Sequence, residues 1–81
     1  MADILHDQQH VREQQLREQQ AMDAVTERLV NAFADTLPDD EITRTVGATY
    51  GRFDRSPIRD FVPIFVERYA RQELQGRAED S

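Results

Sequence analysis

Residues 50–74 read YGRFDRSPIRDFVPIFVERYARQEL, and this stretch decides the fold. It contains five of the six aromatic residues of the chain, two of the three prolines and half of the ten arginines. Large aromatic side chains dominate cores and interfaces, so we expect this stretch to supply most of the packing and contact surface. None of its residues forms a pattern typical of a catalytic centre, and we predict no enzymatic activity.

The size of the chain limits its core. The sequence has 81 residues and no cysteine, which excludes disulfides, thiol nucleophiles and thiolate metal sites. The first twenty residues carry few apolar side chains, so about 60 residues must form the core, and a domain this small is marginally stable alone. No segment resembles a signal peptide or a membrane span, and we therefore expect a cytoplasmic protein.

Charge is unevenly distributed along the chain. The net charge is −6, but residues 44–77 contain seven arginines and four acidic residues. A net acidic chain is a poor general binder of polyanions. Within the predicted helices, Asp40 with Arg44 and Glu67 with Arg71 are spaced to form exposed i,i+4 ion pairs.

The basic block allows a second interpretation of the function. A DNA-binding or transcription-regulatory accessory protein of helix-turn-helix type needs a cluster of cations that contact phosphates. The candidate residues for such a face are Arg52, Arg55, Arg68 and Arg71. Because the chain as a whole is acidic, we regard nucleic acid as the less favoured partner.

Residues 1–20 form a polar, Gln-rich arm without glycine or proline. Local propensity favours a helix, so we expect an arm that is either a helical extension of the first helix or disordered. From Ile4 to Leu29, spacings of four and three residues follow a coiled-coil stripe. Gln8, Gln15 and Glu18 are polar at that stripe, which favours a solvated arm over a coiled coil.

Two histidines in the arm are spaced like metal ligands. His6 and His10 are one helical turn apart, so both side chains could reach one ion. A lasting site needs a closed ligand set with supporting hydrogen bonds, which two residues on an arm do not provide. We predict no metal and no cofactor.

Two apolar stripes at helical spacing predict the first two core helices. We place the first at residues 21–36 and expect Pro38 to open the second, with three acidic residues at its positive dipole end. Gly47 and Gly51 are one turn apart and are expected to allow close approach of a neighbouring helix. The predicted stripes contain Met22, Val25, Leu29 and Phe33 in the first helix, and Ile42, Val46, Tyr50 and Phe53 in the second.

The third helix has two candidate starts. If Ser56 caps a helix that begins at Pro57, Pro63 lies inside that helix and costs roughly 3 kcal/mol. If Asp60 caps a helix that begins at Phe61, Pro63 lies in the first turn, where its missing N–H has no partner in any case. We favour the Asp60 cap. The predicted buried stripe contains Phe61, Val62, Phe65, Val66 and Tyr69, with Leu74 at its edge.

Five aromatic residues are candidates for either the core or an interface: Tyr50, Phe53, Phe61, Phe65 and Tyr69. Aromatic residues at helical spacing usually belong to the core. Three short helices cannot cover every large side chain, however, so we expect part of this set to remain exposed as an interaction patch.

Three helices with short connections predict an all-α three-helix bundle over residues 21–75, followed by an acidic flexible tail at 76–81. The sequence contains the following features in this order: an acidic helix start, an apolar residue four before Val46 and eight before Tyr50, the pair Arg-Phe, a loop, and PIRDFVPIFVER at 57–68. This pattern resembles the three-helix bundle dimerization domain of actinobacteria, over about residues 22–75.

In that family the module precedes protein-tyrosine-phosphatase-like and arsenate-reductase-like domains, and it also occurs in short proteins. The resemblance implies self-association or partner docking. It does not imply phosphatase activity, because this sequence has no cysteine for a phosphate loop. We therefore expect a homodimer, with docking to a separately encoded phosphatase-like or reductase-like protein as a further possibility.

Overall fold

The computed structural model describes the backbone of residues 2–80 and the side chains from residue 13 to residue 80. Three α-helices follow one another: α1 spans Ala2–Phe33, α2 spans Asp39–Gly51 and α3 spans Val62–Asp80. No strand occurs within residues 2–80. The prediction of an all-α three-helix bundle is confirmed. No helix in this part of the chain has both the length and the apolar composition needed to cross a membrane.

The connection between α1 and α2 is a tight turn. α1 ends at Phe33, three residues earlier than predicted, because the N–H groups of Thr36 and Leu37 both donate to the Phe33 carbonyl at 3.0 and 2.9 Å. Pro38 is the N-cap of α2 rather than its first helical residue, with an extended ψ of 148°. The three acidic residues that follow Pro38 lie in the first turn of α2, where the helix dipole favours negative charge.

The core is one cluster between the three helices. The predicted stripe of α1 is confirmed, and Ile42 and Val46 of α2 are also buried, whereas Tyr50 and Phe53 are only half-buried. Two threonines of α2 are buried with their hydroxyls satisfied: Thr45 donates to the Glu41 carbonyl at 2.9 Å and Thr49 to the Thr45 carbonyl at 2.8 Å. The buried apolar residues are Met22, Val25, Leu29, Phe33, Leu37, Ile42, Val46, Val62, Val66, Ala70 and Leu74.

The predicted buried stripe of α3 is wrong for its aromatic residues. α3 buries Val62, Val66, Ala70 and Leu74, which are spaced four residues apart, and Leu74 is fully buried rather than at an edge. Two neighbouring apolar stripes compete on this helix. The smaller side chains face the bundle, since Val and Ala let α3 pack closely against α1 and α2. The rings of the other stripe consequently lie towards solvent.

The start of α3 agrees with the prediction that Pro63 lies in the first turn of this helix. α3 begins at Val62, one residue after the favoured position, and Pro63 lies in its first turn. No helix begins at Pro57, so Ser56 is not a helix cap; its hydroxyl donates to the Ile58 carbonyl at 3.0 Å instead. Asp60 is exposed and makes no side-chain hydrogen bond to another described residue, so the Asp60 cap that we expected is not formed.

The two glycines of α2 do not mediate helix packing. Gly47 and Gly51 are exposed, and a Cβ atom added at either position would have nothing within 4 Å. The expected close approach of a neighbouring helix is therefore wrong, because the opposite face of α2 supplies the core contacts.

Candidate functional site

Three aromatic side chains are exposed on α3 and on the residue that precedes it. Phe61, Phe65 and Tyr69 follow one another at intervals of four residues, and their exposed fractions are 56%, 41% and 45%. We call these three residues the aromatic face. Monomeric proteins rarely expose several large rings side by side, so the aromatic face is a candidate interaction surface.

Phe53, in the turn after α2, supports the aromatic face from beneath. It packs against the core, and its ring centroid lies 6.3 Å from that of Phe65 and 6.2 Å from that of Tyr69. The rings of Phe65 and Tyr69 are 6.4 Å apart, and all three pairs are stacked within 19° of parallel. Because these rings already hold fixed positions, little side-chain entropy is lost when a partner covers them.

The structure thus brings together four of the five aromatic candidates and separates the fifth. Phe53, Phe61, Phe65 and Tyr69 lie on or under one surface, whereas the hydroxyl of Tyr50 donates to a carboxylate of α1, that of Glu18. Tyr50 therefore belongs to a structural cluster between helices.

Three arginines close to the aromatic face in sequence carry unmatched charge. Arg52, Arg55 and Arg68 are exposed, and none forms an ion pair with another described residue; we call them the unpaired arginines. Arg71, the fourth cation of the predicted phosphate-binding face, donates to Glu67 at 3.2 Å. The predicted set of four is therefore divided, with three cations available to a partner.

A charged cluster fixes the loop between α2 and α3 to α1. Arg59 donates from Nε and Nη2 to the two carboxylate oxygens of Glu18, at 2.9 and 2.8 Å, and from Nη1 to the Phe53 carbonyl. The hydrogen bond from Arg59 holds the pKa of Glu18 below its ordinary value, against the opposing effect of burial. Burial, together with the neighbouring carboxylate, raises the pKa of Tyr50. The cluster is structural, because its donors and acceptors are bound to one another.

A second ion pair connects α1 to α3. Arg28 donates to both carboxylate oxygens of Glu67 at 3.2 Å from Nε, and Arg71 adds a further bond to the same carboxylate. The hydrogen bond from Arg28 lowers the pKa of Glu67. On the α2 side, Arg77 of α3 donates to the hydroxyl of Thr45 at 3.0 Å. These contacts fix the rotation of α3 and so keep the aromatic face directed outward.

The clefts of the bundle offer little chemistry. An open cleft of about 260 Å³ lies between α1 and the start of α3, where Glu18 and Arg59 are already paired and Arg17 and Asp60 are the remaining charges. Within the described side chains, no three histidine or acidic residues lie together as a metal site would require. The side chains of His6 and His10 lie outside the described residues.

Comparison with known proteins adds no relative. No protein-family model, curated protein or solved structure matches this chain. The function is therefore inferred from the residues themselves, and among the described residues the aromatic face is the feature most unlike an ordinary solvated helix surface.

Sequence reasoning missed the cluster of Arg59 and Glu18. The two residues are separated by 41 positions, and no periodic pattern connects them. A weak signal was present in Glu18 itself, which is the polar residue of the coiled-coil stripe one turn before Met22. A carboxylate at the edge of an apolar stripe often has a cationic partner, because burial without one is costly.

Proposed function

We propose that this chain is a non-enzymatic helical interaction module that forms a homodimer through the aromatic face. The exposure of Phe61, Phe65 and Tyr69 carries the proposal. A large aromatic side chain has roughly 150 to 250 Å² of surface, so the three half-exposed rings leave about 300 Å² per chain in water. An interface of standard size covers about 800 Å² per partner, so exposed neighbours such as Ile58 and Ile64 contribute as well.

The small size of the chain supports the same proposal. An 81-residue chain without cysteine gains stability when a second copy covers its exposed apolar surface. Most soluble homo-oligomers are dimers with two-fold symmetry, in which the same patch of both copies meets. The resemblance to the actinobacterial dimerization domain points to the same kind of assembly.

The proposal is tested with one variant of the aromatic face and one matched control. Phe61→Ser removes the most exposed ring of the face and leaves the stack of Phe53, Phe65 and Tyr69 untouched. Serine also suits a position just before a helix, so the fold is retained. Leu16→Ser is the control: Leu16 is 63% exposed on α1 and lies two residues from Glu18, on the opposite side of that helix.

Sedimentation equilibrium of the two variants separates the outcomes. Phe61→Ser is expected to weaken dimerization at least tenfold, because two rings are lost per dimer and each buried about 100 Å². Leu16→Ser is expected to dimerize like the unsubstituted chain. The proposal is wrong if Phe61→Ser leaves dimerization unchanged. Loss of the dimer in Leu16→Ser instead would indicate an interface on α1.

A second function is favoured by one observation, the three unpaired arginines. Arg52, Arg55 and Arg68 are exposed and lie close in sequence to aromatic residues, and cations with aromatic rings also suit phosphate contacts and base stacking. The net charge of −6 opposes this function, since the remaining surface repels a polyanion. Binding of a short duplex that weakens steeply with salt would favour the DNA-binding alternative.

A further inference from the structure

We propose that Arg59 is a positioning residue for the aromatic face, because its guanidinium group ties the turn that carries Phe53 to Glu18 of α1. This proposal rests on the proposed homodimer and adds what holds the dimer surface in its binding conformation. The aromatic face is therefore controlled from α1, through a side chain that does not itself belong to the face.

Phe53 is the least restrained of the three stacked rings. Phe65 and Tyr69 are carried by α3, whereas Phe53 lies in the connection between α2 and α3. The N–H group of Phe53 donates to the Tyr50 carbonyl at 3.0 Å, and its carbonyl accepts from the N–H group of Ser56 at 3.0 Å. Both bonds join residues three apart in sequence, so neither fixes the turn relative to α1.

Arg59 supplies the bond that reaches across the bundle. Its Nη1 donates to the Phe53 carbonyl, while Nε and Nη2 donate to the two carboxylate oxygens of Glu18 at 2.9 and 2.8 Å. The Arg59 and Glu18 side chains are 23% and 14% exposed, which makes theirs the most shielded ion pair among the described residues. A bidentate pair that is shielded from water holds its partners in one geometry better than an exposed pair does.

The position of Glu18 on α1 makes it a suitable anchor. From residue 13 onward, Glu18 is the first side chain of α1 that is not exposed, and the first fully buried one, that of Met22, follows one turn later. Glu18 therefore lies where α1 enters the bundle, and the hydroxyl of Tyr50 donates to the same carboxylate. One carboxylate thus ties both α2 and the turn after it to α1.

The position of Phe53 affects how readily the exposed rings bind a partner. The Phe53 ring is stacked against Phe65 at 6.3 Å and against Tyr69 at 6.2 Å. If the turn is released, these two rings lose a stacking neighbour and gain conformational freedom. A second copy must then order them on binding, and this cost arises in both copies of the dimer. Loss of Arg59 is therefore expected to weaken dimerization although no ring is removed.

Two variants of Arg59 separate positioning from charge. Arg59→Gln removes both the charge and the fork of donors. Arg59→Lys keeps the charge opposite Glu18 but replaces three donor nitrogens, which are directed at two different groups, with a single one. Ile42→Val is the control for lost stability, because it trims a fully buried side chain near the start of α2, about 15 Å along that helix from the turn of Phe53.

Sedimentation equilibrium compares the three variants under conditions where circular dichroism shows each to be folded. Arg59→Gln and Arg59→Lys are each expected to weaken dimerization by about tenfold, and Ile42→Val by less than about twofold. Unchanged dimerization of Arg59→Lys would show that the charge alone suffices and would overturn the positioning role. Ile42→Val dimerizing as weakly as Arg59→Gln would also overturn it, because any loss of stability would then have the same effect.

Nuclear Overhauser effects between the ring protons of Phe53 and Tyr69 test the positioning without the dimer. They are measured in the Phe61→Ser background, which leaves these two rings in place and disfavours dimerization. Their intensity is expected to fall at least about twofold on adding Arg59→Lys and to be retained on adding Ile42→Val. Equal intensity with Arg59→Lys would overturn the positioning role, whatever the dimer does. An unsubstituted chain that is monomeric at every concentration would overturn the proposed homodimer instead, and the ring contacts would still decide the role of Arg59.

Discussion

Leu74→Ala tests which side of α3 is buried. The Leu74 side chain is fully buried among the helices, so its truncation removes apolar contacts and leaves a cavity. Such changes cost about 2 to 5 kcal/mol, and we expect about 3 kcal/mol here because the site lies in the last third of α3, near the end of the bundle. A chain of this length has a free energy of unfolding of roughly 4 to 12 kcal/mol, so this single change removes a large part of it.

Phe65→Ala is the comparison within the same helix. The Phe65 ring is partly in water, so its removal leaves an open depression that water fills rather than an enclosed cavity. We expect a cost of about 1 to 2 kcal/mol in the isolated chain, less than the 3 to 5 kcal/mol typical of a fully buried ring.

Urea unfolding followed by far-UV circular dichroism measures both costs. The experiment is done at a low protein concentration, where dimers dissociate, and at a concentration about a hundredfold higher. The cost of Leu74→Ala should be the same at both concentrations. The cost of Phe65→Ala should grow with concentration, because the unsubstituted chain gains stability from dimerization and the variant does not. If Phe65→Ala costs more than Leu74→Ala at the low concentration, the rings are core residues and our account of α3 fails.

Three further predictions follow from the remaining contacts. Gly47→Ala should raise the free energy of unfolding by about 0.5 to 1 kcal/mol in thermal melts, because alanine favours a helix and the position is open; a loss of stability would show an unseen contact. Since the pKa of Glu18 is lowered in the fold, its contribution to stability is present above its unfolded value and is lost as the pH falls through the folded value. Glu18→Gln should therefore lower stability near pH 7 by about 1 to 2 kcal/mol and flatten the acid side of the urea stability profile, and an unchanged profile would refute the role of the cluster. Replacing each of the unpaired arginines with glutamine should shift stability by at most about 0.5 kcal/mol, and duplex affinity in an anisotropy titration should be negligible at physiological salt; submicromolar, salt-sensitive binding would favour the DNA-binding alternative.

The sequence predicted α1 and α2 well because each has one dominant apolar stripe. α3 has two neighbouring stripes of similar hydrophobicity, and periodicity alone does not choose between them. The predicted buried stripe joined Val62 and Val66 with the three rings, whereas packing buries only the smaller side chains, which let three helices approach one another. The three large rings that the prediction placed in the core are exposed instead, and exposed groups of large rings are typical of interaction surfaces.

Polar contacts between residues close in sequence were predicted more reliably than contacts between residues far apart in sequence. The ion pairs of Asp40 with Arg44 and of Glu67 with Arg71 were predicted from i,i+4 spacing and are present at 3.8 and 3.2 Å. The argument from Pro63 correctly predicted that α3 does not start at Pro57. The effect of a proline depends only on the backbone next to it, so it can be predicted from the local sequence. The cluster around Arg59 depends on how the loop meets α1, which the sequence does not specify locally.

The mass of the unsubstituted chain in solution tests the central claim most directly. Sedimentation equilibrium over a range of micromolar concentrations is expected to show a species of about twice the 9.4 kDa chain mass, in reversible exchange with the monomer. The melting temperature is expected to rise with concentration over the same range. A mass of 9.4 kDa at every concentration, with a constant melting temperature, would contradict the homodimer and leave the aromatic face to a different partner.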